Sequence, residues 1–188
     1  MERLILVRHA EPEVNPAQAA AEWPLTTRGA LAVRRLATVL SGLEPTWIIT
    51  SPERKARETA ALLAESLEIP VAEDELIAEQ GAGPDEFIAD YQTFRGLVQT
   101  HFAQPRDVVF RNEAAADAAH RMATCVDRCR AAGGVPVLVS HGRIMASWLA
   151  DLTGQDPWEI WNSFHLPDLI EANPTARTFR SHHVPLVP

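Results

Sequence analysis

The chain has two cysteines among its 188 residues, and Lys55 is its only lysine. Two cysteines are too few for a disulfide-stapled secreted scaffold of this length, which favours a reducing, cytoplasmic location. We expect Cys125 and Cys129, one helical turn apart, to be small core residues rather than a redox or metal pair. No apolar run approaches the ~20 residues that a membrane span requires, and the first residues do not form a signal-peptide pattern.

The sequence also lacks the motifs of several enzyme classes. It contains no GxxxxGK[ST] phosphate loop, no GxGxxG after a strand and no GxSxG elbow, which argues against nucleotide-binding, Rossmann-type and serine-hydrolase functions. The formal net charge of -8 argues against a general nucleic-acid or membrane-surface binder. An anionic substrate would therefore need a locally positive site in a negative protein.

Apolar segments of strand length alternate with segments of helical periodicity along a single expected domain, residues 1–188. Strands are predicted at residues 4–7, 47–50 and 135–139, with a helix after each of the last two. This alternation indicates βαβ units and therefore an α/β fold with a mainly parallel sheet. A further helix is predicted over residues 85–101, and its inner face is expected to contain Phe87, Ile88, Tyr91, Phe94 and Val98.

Polar side chains follow three of the predicted strands. Arg8 and His9 end the first, a basic helix start containing Lys55 follows the second, and Ser140 and His141 end the third. Because the carboxyl ends of parallel strands meet at one edge of a sheet, these residues can converge. Two histidines with cationic groups and no evident metal ligands suit phosphoryl transfer, in which an imidazole attacks phosphorus. Acid–base chemistry by the histidine pair is an alternative, and each feature alone is also typical of a polar strand end.

Four segments match a known family in order and at compatible spacing. They are LVRHAE at 6–11 followed by Asn15, PLTTRG at 24–29, SPERKARETA at 51–60 and VSHG at 139–142. Together they resemble the signature of the histidine phosphatase superfamily, the phosphoglycerate-mutase-like fold, over nearly the whole chain. The resemblance implies a three-layer α/β/α sandwich and a covalent mechanism that uses neither a metal nor a cofactor.

The resemblance implies a role for each matching residue. His9 would be the nucleophile that becomes phosphohistidine, and Arg8 and His141 would bind the phosphoryl group with help from Asn15. Glu79 falls where the family's loop acid usually lies and would supply the proton to the leaving group. Four other carboxyl residues of this region could take that role instead: Glu73, Asp74, Glu75 and Glu86.

One residue departs from the family pattern. Lys55 lies where the family has its second phosphate-binding arginine, so we expect Lys55 to bind phosphate in its place. A lysine keeps the positive charge but loses the bidentate fork of a guanidinium. Arg54 or Arg57 could compensate, although on a helix they point about a third of a turn away from Lys55.

The leading prediction is a phosphatase that acts on a small phosphomonoester. The chain is short for a phosphoglycerate mutase of this fold, which usually carries extra segments over the site, so net hydrolysis is favoured. A mutase is the first alternative, and a protein-phosphohistidine phosphatase is the second. A non-catalytic protein that binds a phosphorylated ligand is the alternative of a different class. The expected partner is a small phosphorylated substrate rather than nucleic acid or a membrane. The identity of that substrate and the formation of a homo-oligomer are left open.

Overall fold

The computed structural model describes residues 3–80, 87–110 and 113–182, and a six-stranded sheet forms the centre of this part of the chain. Its strands are β1 (Leu4–Arg8), β2 (Trp47–Thr50), β3 (Val71–Glu73), β4 (Pro136–Ser140), β5 (Asp168–Asn173) and β6 (Thr178–His182). They lie in the order β3-β2-β4-β1-β5-β6. Strands β1 to β4 pair in parallel, whereas β5 and β6 are antiparallel additions beside β1. The predicted mainly parallel sheet is confirmed.

Helices cover both faces of this sheet. They are α1 (Thr27–Ser41), α2 (Arg54–Leu67), α3 (Tyr91–Ala103), α4 (Ala115–Ala132), α5 (Gly142–Thr153) and α6 (Pro157–Ser163). Successive strand residues point to opposite faces, so Ile5 and Val7 pack in the core with α1 and α2, whereas Leu4 and Leu6 pack in the core with the helices of the other face. Both faces are covered, which is why β1 is apolar at consecutive positions. The result is the expected three-layer α/β/α sandwich.

Local signals explain where α1 begins. The Thr26 hydroxyl accepts a hydrogen bond from the Gly29 amide at 2.9 Å and caps the helix. Gly29 also lies against the chain that follows β1, because a Cβ on Gly29 would be 2.5 Å from the Glu11 carbonyl oxygen. In α4, Cys125 and Cys129 are buried free thiols of the core, as predicted. Within the described ranges, no helix is long and apolar enough to cross a membrane.

The predicted helix over residues 85–101 is wrong at its start. Residues 85 and 86 lie outside the described part of the chain, and α3 begins only at Tyr91. The Asp90 carboxylate accepts a hydrogen bond from the Thr93 amide at 2.8 Å, which is an N-cap that the apolar spacing concealed. Tyr91 is 59% exposed rather than part of the core. Phe87 and Ile88 precede the helix and line a cavity instead.

Candidate active site

The carboxyl ends of β1, β2 and β4 meet at one edge of the sheet. β4 lies between the other two, with Ser140 beside Arg8 of β1 and Val139 beside Thr50 of β2. The residues that follow β1 and β4 are His9 and His141. Their ring centroids are 5.1 Å apart, with the ring planes tilted by 56°. The parallel pairing therefore brings two histidines together that are far apart in sequence.

A cavity of about 430 Å³ opens at this edge. Its lining includes five residues that the sequence analysis placed in the site: Arg8, His9, Lys55, Glu79 and His141. The rest of the wall is largely apolar and aromatic, and it includes Trp23, Phe87, Phe94 and Trp161. A few polar groups at the base of an apolar cavity are typical of a small-molecule site.

His9 is held as a neutral imidazole with one free nitrogen. Its Nδ1 lies 2.7 Å from the Ala10 carbonyl oxygen, which can only accept, so Nδ1 carries the proton. Nε2 then keeps its lone pair, and no described group hydrogen-bonds to it. Burial, followed by the charges of His141 and Lys55, holds the pKa of His9 well below its ordinary value. A neutral, oriented imidazole is the form that a nucleophile requires.

Hydrogen bonds from α2 and β4 fix the backbone on both sides of His9. The Thr59 hydroxyl donates to the Lys55 carbonyl oxygen at 2.7 Å and accepts from the Ala10 amide at 3.1 Å. The His9 amide donates to the Ser140 carbonyl oxygen at 3.0 Å. The backbone on both sides of the His9 ring is therefore tied to α2 and to β4.

Arg8 is partly buried at the end of β1. Burial lowers the pKa of its guanidinium, and the charges of Glu79 and Asp168 partly offset that effect. Gly142 leaves room for this side chain, because a Cβ on Gly142 would lie 3.2 Å from Cζ of Arg8 and 3.1 Å from Nε1 of Trp161. A side chain at residue 142 would therefore crowd the Arg8 guanidinium and the Trp161 ring.

His141 lies fully buried at the start of α5. Its Nε2 is 2.7 Å from the Ser51 hydroxyl, which follows β2. Burial, and after it the charge of Lys55, holds the pKa of His141 well below its ordinary value, although Glu79 acts in the opposite direction. His141 is therefore neutral, and the negative charge of a phosphoryl group would favour its protonation.

Lys55 reaches the cavity, whereas the neighbouring arginines do not. Its Nζ donates to the Ala20 carbonyl oxygen at 2.8 Å and forms an ion pair with Glu53. Arg54 is exposed and pairs with Glu58 at 2.8 Å, and Arg57 is exposed as well. Neither arginine lines the cavity. The hypothesis that Arg54 or Arg57 compensates for the missing arginine is wrong, because both point to solvent from the start of α2.

Glu53 is a site residue that the sequence analysis missed. Its Oε1 accepts from the Glu79 amide at 2.9 Å and lies 3.5 Å from Nε2 of His141. Its Oε2 pairs with Lys55. In the sequence, Glu53 resembles an ordinary acid of a helix first turn. In the structure it is the N-cap residue of α2 and makes no side-chain capping bond, so its carboxylate lies in the cavity.

Glu79 is held against the first turn of α5. Its carboxylate accepts from the amides of Arg143 and Ile144, both at 3.1 Å. Burial raises the pKa of Glu79, but the charges of Arg143 and His141 and the Arg143 amide lower it further, and the net direction is downward. Glu79 is therefore ionised. The charge of Glu53 acts in the opposite direction and favours the protonated form.

The other candidate acids of this region do not reach the cavity. Glu73 and Glu75 are exposed, and Asp74 accepts from the Leu76 amide at 2.9 Å and pairs with Arg128. None of these three lines the cavity. Glu86 lies outside the described residues. Among the described candidates, Glu79 is the one that lines the cavity together with the two histidines.

Arg143 is the second residue that the sequence analysis missed. Its guanidinium lies over Phe110, with Cζ 3.7 Å from the ring centroid, and donates to the Gln80 carbonyl oxygen at 2.8 Å. A basic residue two positions after the strand-end His141 was the available signal.

Asn15, in contrast, is exposed, and its Oδ1 accepts from the Ala17 amide at 3.0 Å. Asn15 does not line the cavity, so its phosphate-binding role stays a prediction.

Comparisons with known proteins show what the chain is similar to. The model of the histidine phosphatase superfamily (branch 1) matches residues 4–178. A probable phosphoglycerate mutase GpmB of Escherichia coli O1:K1 / APEC is 25% identical over 169 residues, which are 84% of this chain and 78% of the relative. A protein of the same name from Yersinia enterocolitica is 27% identical over 173 residues, 84% of this chain and 77% of the relative.

Solved structures share the fold at lower identity. A mycobacterial glucosyl-3-phosphoglycerate phosphatase is 20% identical with a TM-score of 0.74, and the match covers 97% of both chains. A phosphoserine phosphatase from Entamoeba histolytica, in complex with 3-phosphoglyceric acid, is 21% identical with a TM-score of 0.68 and covers 91% of this chain and 90% of that one. These likenesses show the fold of the chain.

Proposed function

The chain belongs to branch 1 of the histidine phosphatase superfamily, and on this premise we propose that it is a metal-independent phosphatase that hydrolyses a phosphomonoester through a phosphohistidine on His9. The observation that carries the proposal is the state of His9. Its Nδ1 donates a hydrogen bond to the Ala10 carbonyl oxygen, so Nε2 is unprotonated. Arg8, Lys55 and His141 line the same cavity as His9. A nucleophile next to three groups that can carry positive charge suits attack on a phosphoryl group.

The first half of the reaction forms the phosphoenzyme. Arg8 and Lys55 bind the phosphoryl oxygens, and His141 takes up a proton as the dianion enters and donates a hydrogen bond to it. Nε2 of His9 attacks phosphorus while the bond from phosphorus to the ester oxygen breaks. Glu79 gives its proton to the departing alkoxide, which leaves as the alcohol.

Glu79 must gain a proton before this step, because the groups around it lower its pKa and keep it ionised. The phosphoryl dianion brings negative charge to the cavity and moves the pKa of Glu79 upward, in the same direction as the charge of Glu53. In the second half, the Glu79 carboxylate takes a proton from water. The oxygen of that water attacks phosphorus, the bond to Nε2 breaks, and inorganic phosphate is released.

Phosphate release from a panel of phosphomonoesters, measured for the wild type and for His9→Ala, tests this proposal. We expect turnover by the wild type and none by the variant. A phosphoenzyme that is labile in acid and stable in base should accumulate in the wild type during rapid-quench experiments. Tight binding of phosphate without turnover of any ester would overturn the proposal and favour the non-catalytic alternative.

A mutase is the second candidate, because the curated relatives are named probable phosphoglycerate mutases. The same panel separates the two activities. A phosphatase releases inorganic phosphate in step with consumption of the ester, whereas a mutase moves the phosphoryl group between two hydroxyls of one substrate. A phosphohistidine-containing peptide in the panel tests the remaining alternative. The cytoplasmic location stays a prediction from the cysteine content.

A further inference from the structure

A second cavity of about 370 Å³ lies next to the proposed catalytic cavity. The two share five lining residues: Arg8, Tyr91, Phe94, Trp161 and Leu166. The Phe94 and Trp161 rings, whose centroids are 6.2 Å apart, form part of the common wall. Arg8 borders both spaces, so a phosphoryl group at His9 and a group in the second cavity would both lie beside Arg8.

The lining of the second cavity is positive in a protein whose formal net charge is -8. It contains three arginines and one carboxylate, that of Glu11. Glu11 is paired with Arg28, which leaves the charges of Arg8 and Arg95 without a carboxylate in the lining. Asp168 acts on Arg8 electrostatically, but it does not line this cavity. The second cavity therefore offers a ligand two guanidinium groups, those of Arg8 and Arg95, that no carboxylate of its own lining pairs with.

Arg95 is held in place by aromatic rings rather than by an ion pair. Its Cζ lies over Trp158 at 4.8 Å from the ring centroid, and it is 5.8 Å from the ring centroid of Tyr91 and 5.9 Å from that of Trp161. No carboxylate of the described residues pairs with it. Cation–π contacts restrict the guanidinium, while its N–H groups stay free to bind an anion bidentately. Such a group is preorganised for a carboxylate or a phosphate.

We propose that the second cavity binds a second anionic group on the alcohol part of the substrate, and that Arg95 is the residue that binds it. The inference rests on the proposed function, because that function places the phosphoryl group beside His9. It narrows the substrate class to phosphomonoesters that carry a carboxylate or a second phosphate in addition to the group that is hydrolysed.

Three compounds with the same three-carbon skeleton test this. Glycerol 3-phosphate carries no second anion, 3-phosphoglycerate carries a carboxylate, and glycerol 1,3-bisphosphate carries a second phosphate. We expect kcat/KM to be about tenfold higher or more for at least one of the anionic compounds, as for a charged bidentate hydrogen bond. The compound with the larger ratio identifies the anion. In Arg95→Met the ratio should fall towards one, and in Arg95→Lys it should be intermediate.

The exposed arginine Arg34 of α1 provides the matched control, because it lies on the other face of the sheet and lines neither cavity. Arg34→Met should keep the wild-type ratios. Calorimetric titration of His9→Ala with the three compounds measures the same preference without turnover, so a failure of the catalytic proposal is distinguishable from a failure of this inference. Equal affinities and equal kcat/KM values for the three compounds, or ratios that Arg95→Met leaves unchanged, would overturn the inference.

Discussion

Lys55→Met is the most informative single substitution in this protein. The Lys55 side chain is 8% exposed and lines the catalytic cavity. Its ammonium group forms an ion pair with Glu53 and donates a hydrogen bond to the Ala20 carbonyl oxygen. Methionine keeps most of the length of the side chain and removes the charge. Any loss of activity then reports the contact between the ammonium group and the phosphoryl oxygens.

The expected size of the loss follows from the contacts of Lys55. Removing one preorganised group that stabilises charge in a transition state typically costs about 10²–10³ in rate. Glu53 already neutralises part of the charge of Lys55, so we expect a smaller loss than this, a fall in kcat/KM of roughly 10- to 100-fold. The substitution also leaves the Glu53 carboxylate, 13% exposed, without its cation. Breaking such a buried pair costs about 3 kcal/mol of stability or more.

The double variant Lys55→Met/Glu53→Gln separates the two effects. It removes both charges, so most of the lost free energy of unfolding should return, while kcat/KM stays low because the phosphoryl contact is still missing. The assays are hydrolysis of an aryl phosphate and urea unfolding. Arg54→Met is the control on the adjacent position, because Arg54 is 45% exposed and pairs with Glu58; it should stay within about twofold of the wild type. Wild-type kcat/KM in the double variant would refute a role of Lys55 in catalysis.

Three further predictions concern Glu79, Gly142 and His101. Glu79→Gln should lower kcat/KM on an alkyl phosphate by about 10²-fold or more, and kcat/KM on p-nitrophenyl phosphate much less, because kcat/KM reports the steps up to release of the alcohol and that leaving group needs no proton; equal losses of kcat/KM on both would contradict the acid role. Gly142→Ala should raise KM, because the new Cβ would lie 3.2 Å from Cζ of Arg8, and an unchanged KM would show that Arg8 can move aside. Burial lowers the pKa of His101 to about 4, so the unfolded state binds more protons between about pH 6.5 and pH 4 and stability falls as the pH drops through this window. Urea titrations should show a shallower fall for His101→Gln, and parallel curves for the two proteins would contradict this.

Much of the fold could be predicted because local patterns and the global fold agree. Apolar runs of strand length at residues 4–7, 47–50 and 135–139 require a sheet with both faces covered. Since the strands are parallel, the residues that follow them meet at one edge. This is why Arg8, His9 and His141 could be assigned to one place from the sequence.

The failures share a cause as well. Glu53 resembled an ordinary acid of a helix first turn, and Arg143 resembled any basic residue of a helix start. Phe87 and Ile88 had the spacing of a helix inner face, but the Asp90 cap starts the helix after them. In each case the sequence pattern assigned the secondary structure of the neighbourhood, and the direction of the side chain came from the packing of other elements.

The sequence by itself therefore determined the mainly parallel α/β sheet, the order of the site residues and the meeting of the strand ends. These depend on local apolar periodicity and on the direction of parallel strands, both of which can be inferred from consecutive residues. Only the tertiary structure decided that Glu53 joins Lys55 and Glu79, that Arg54 and Arg57 face solvent, and that Asn15 lies outside the cavity. These outcomes depend on the distances and angles between elements that are remote in the chain, which no local pattern encodes.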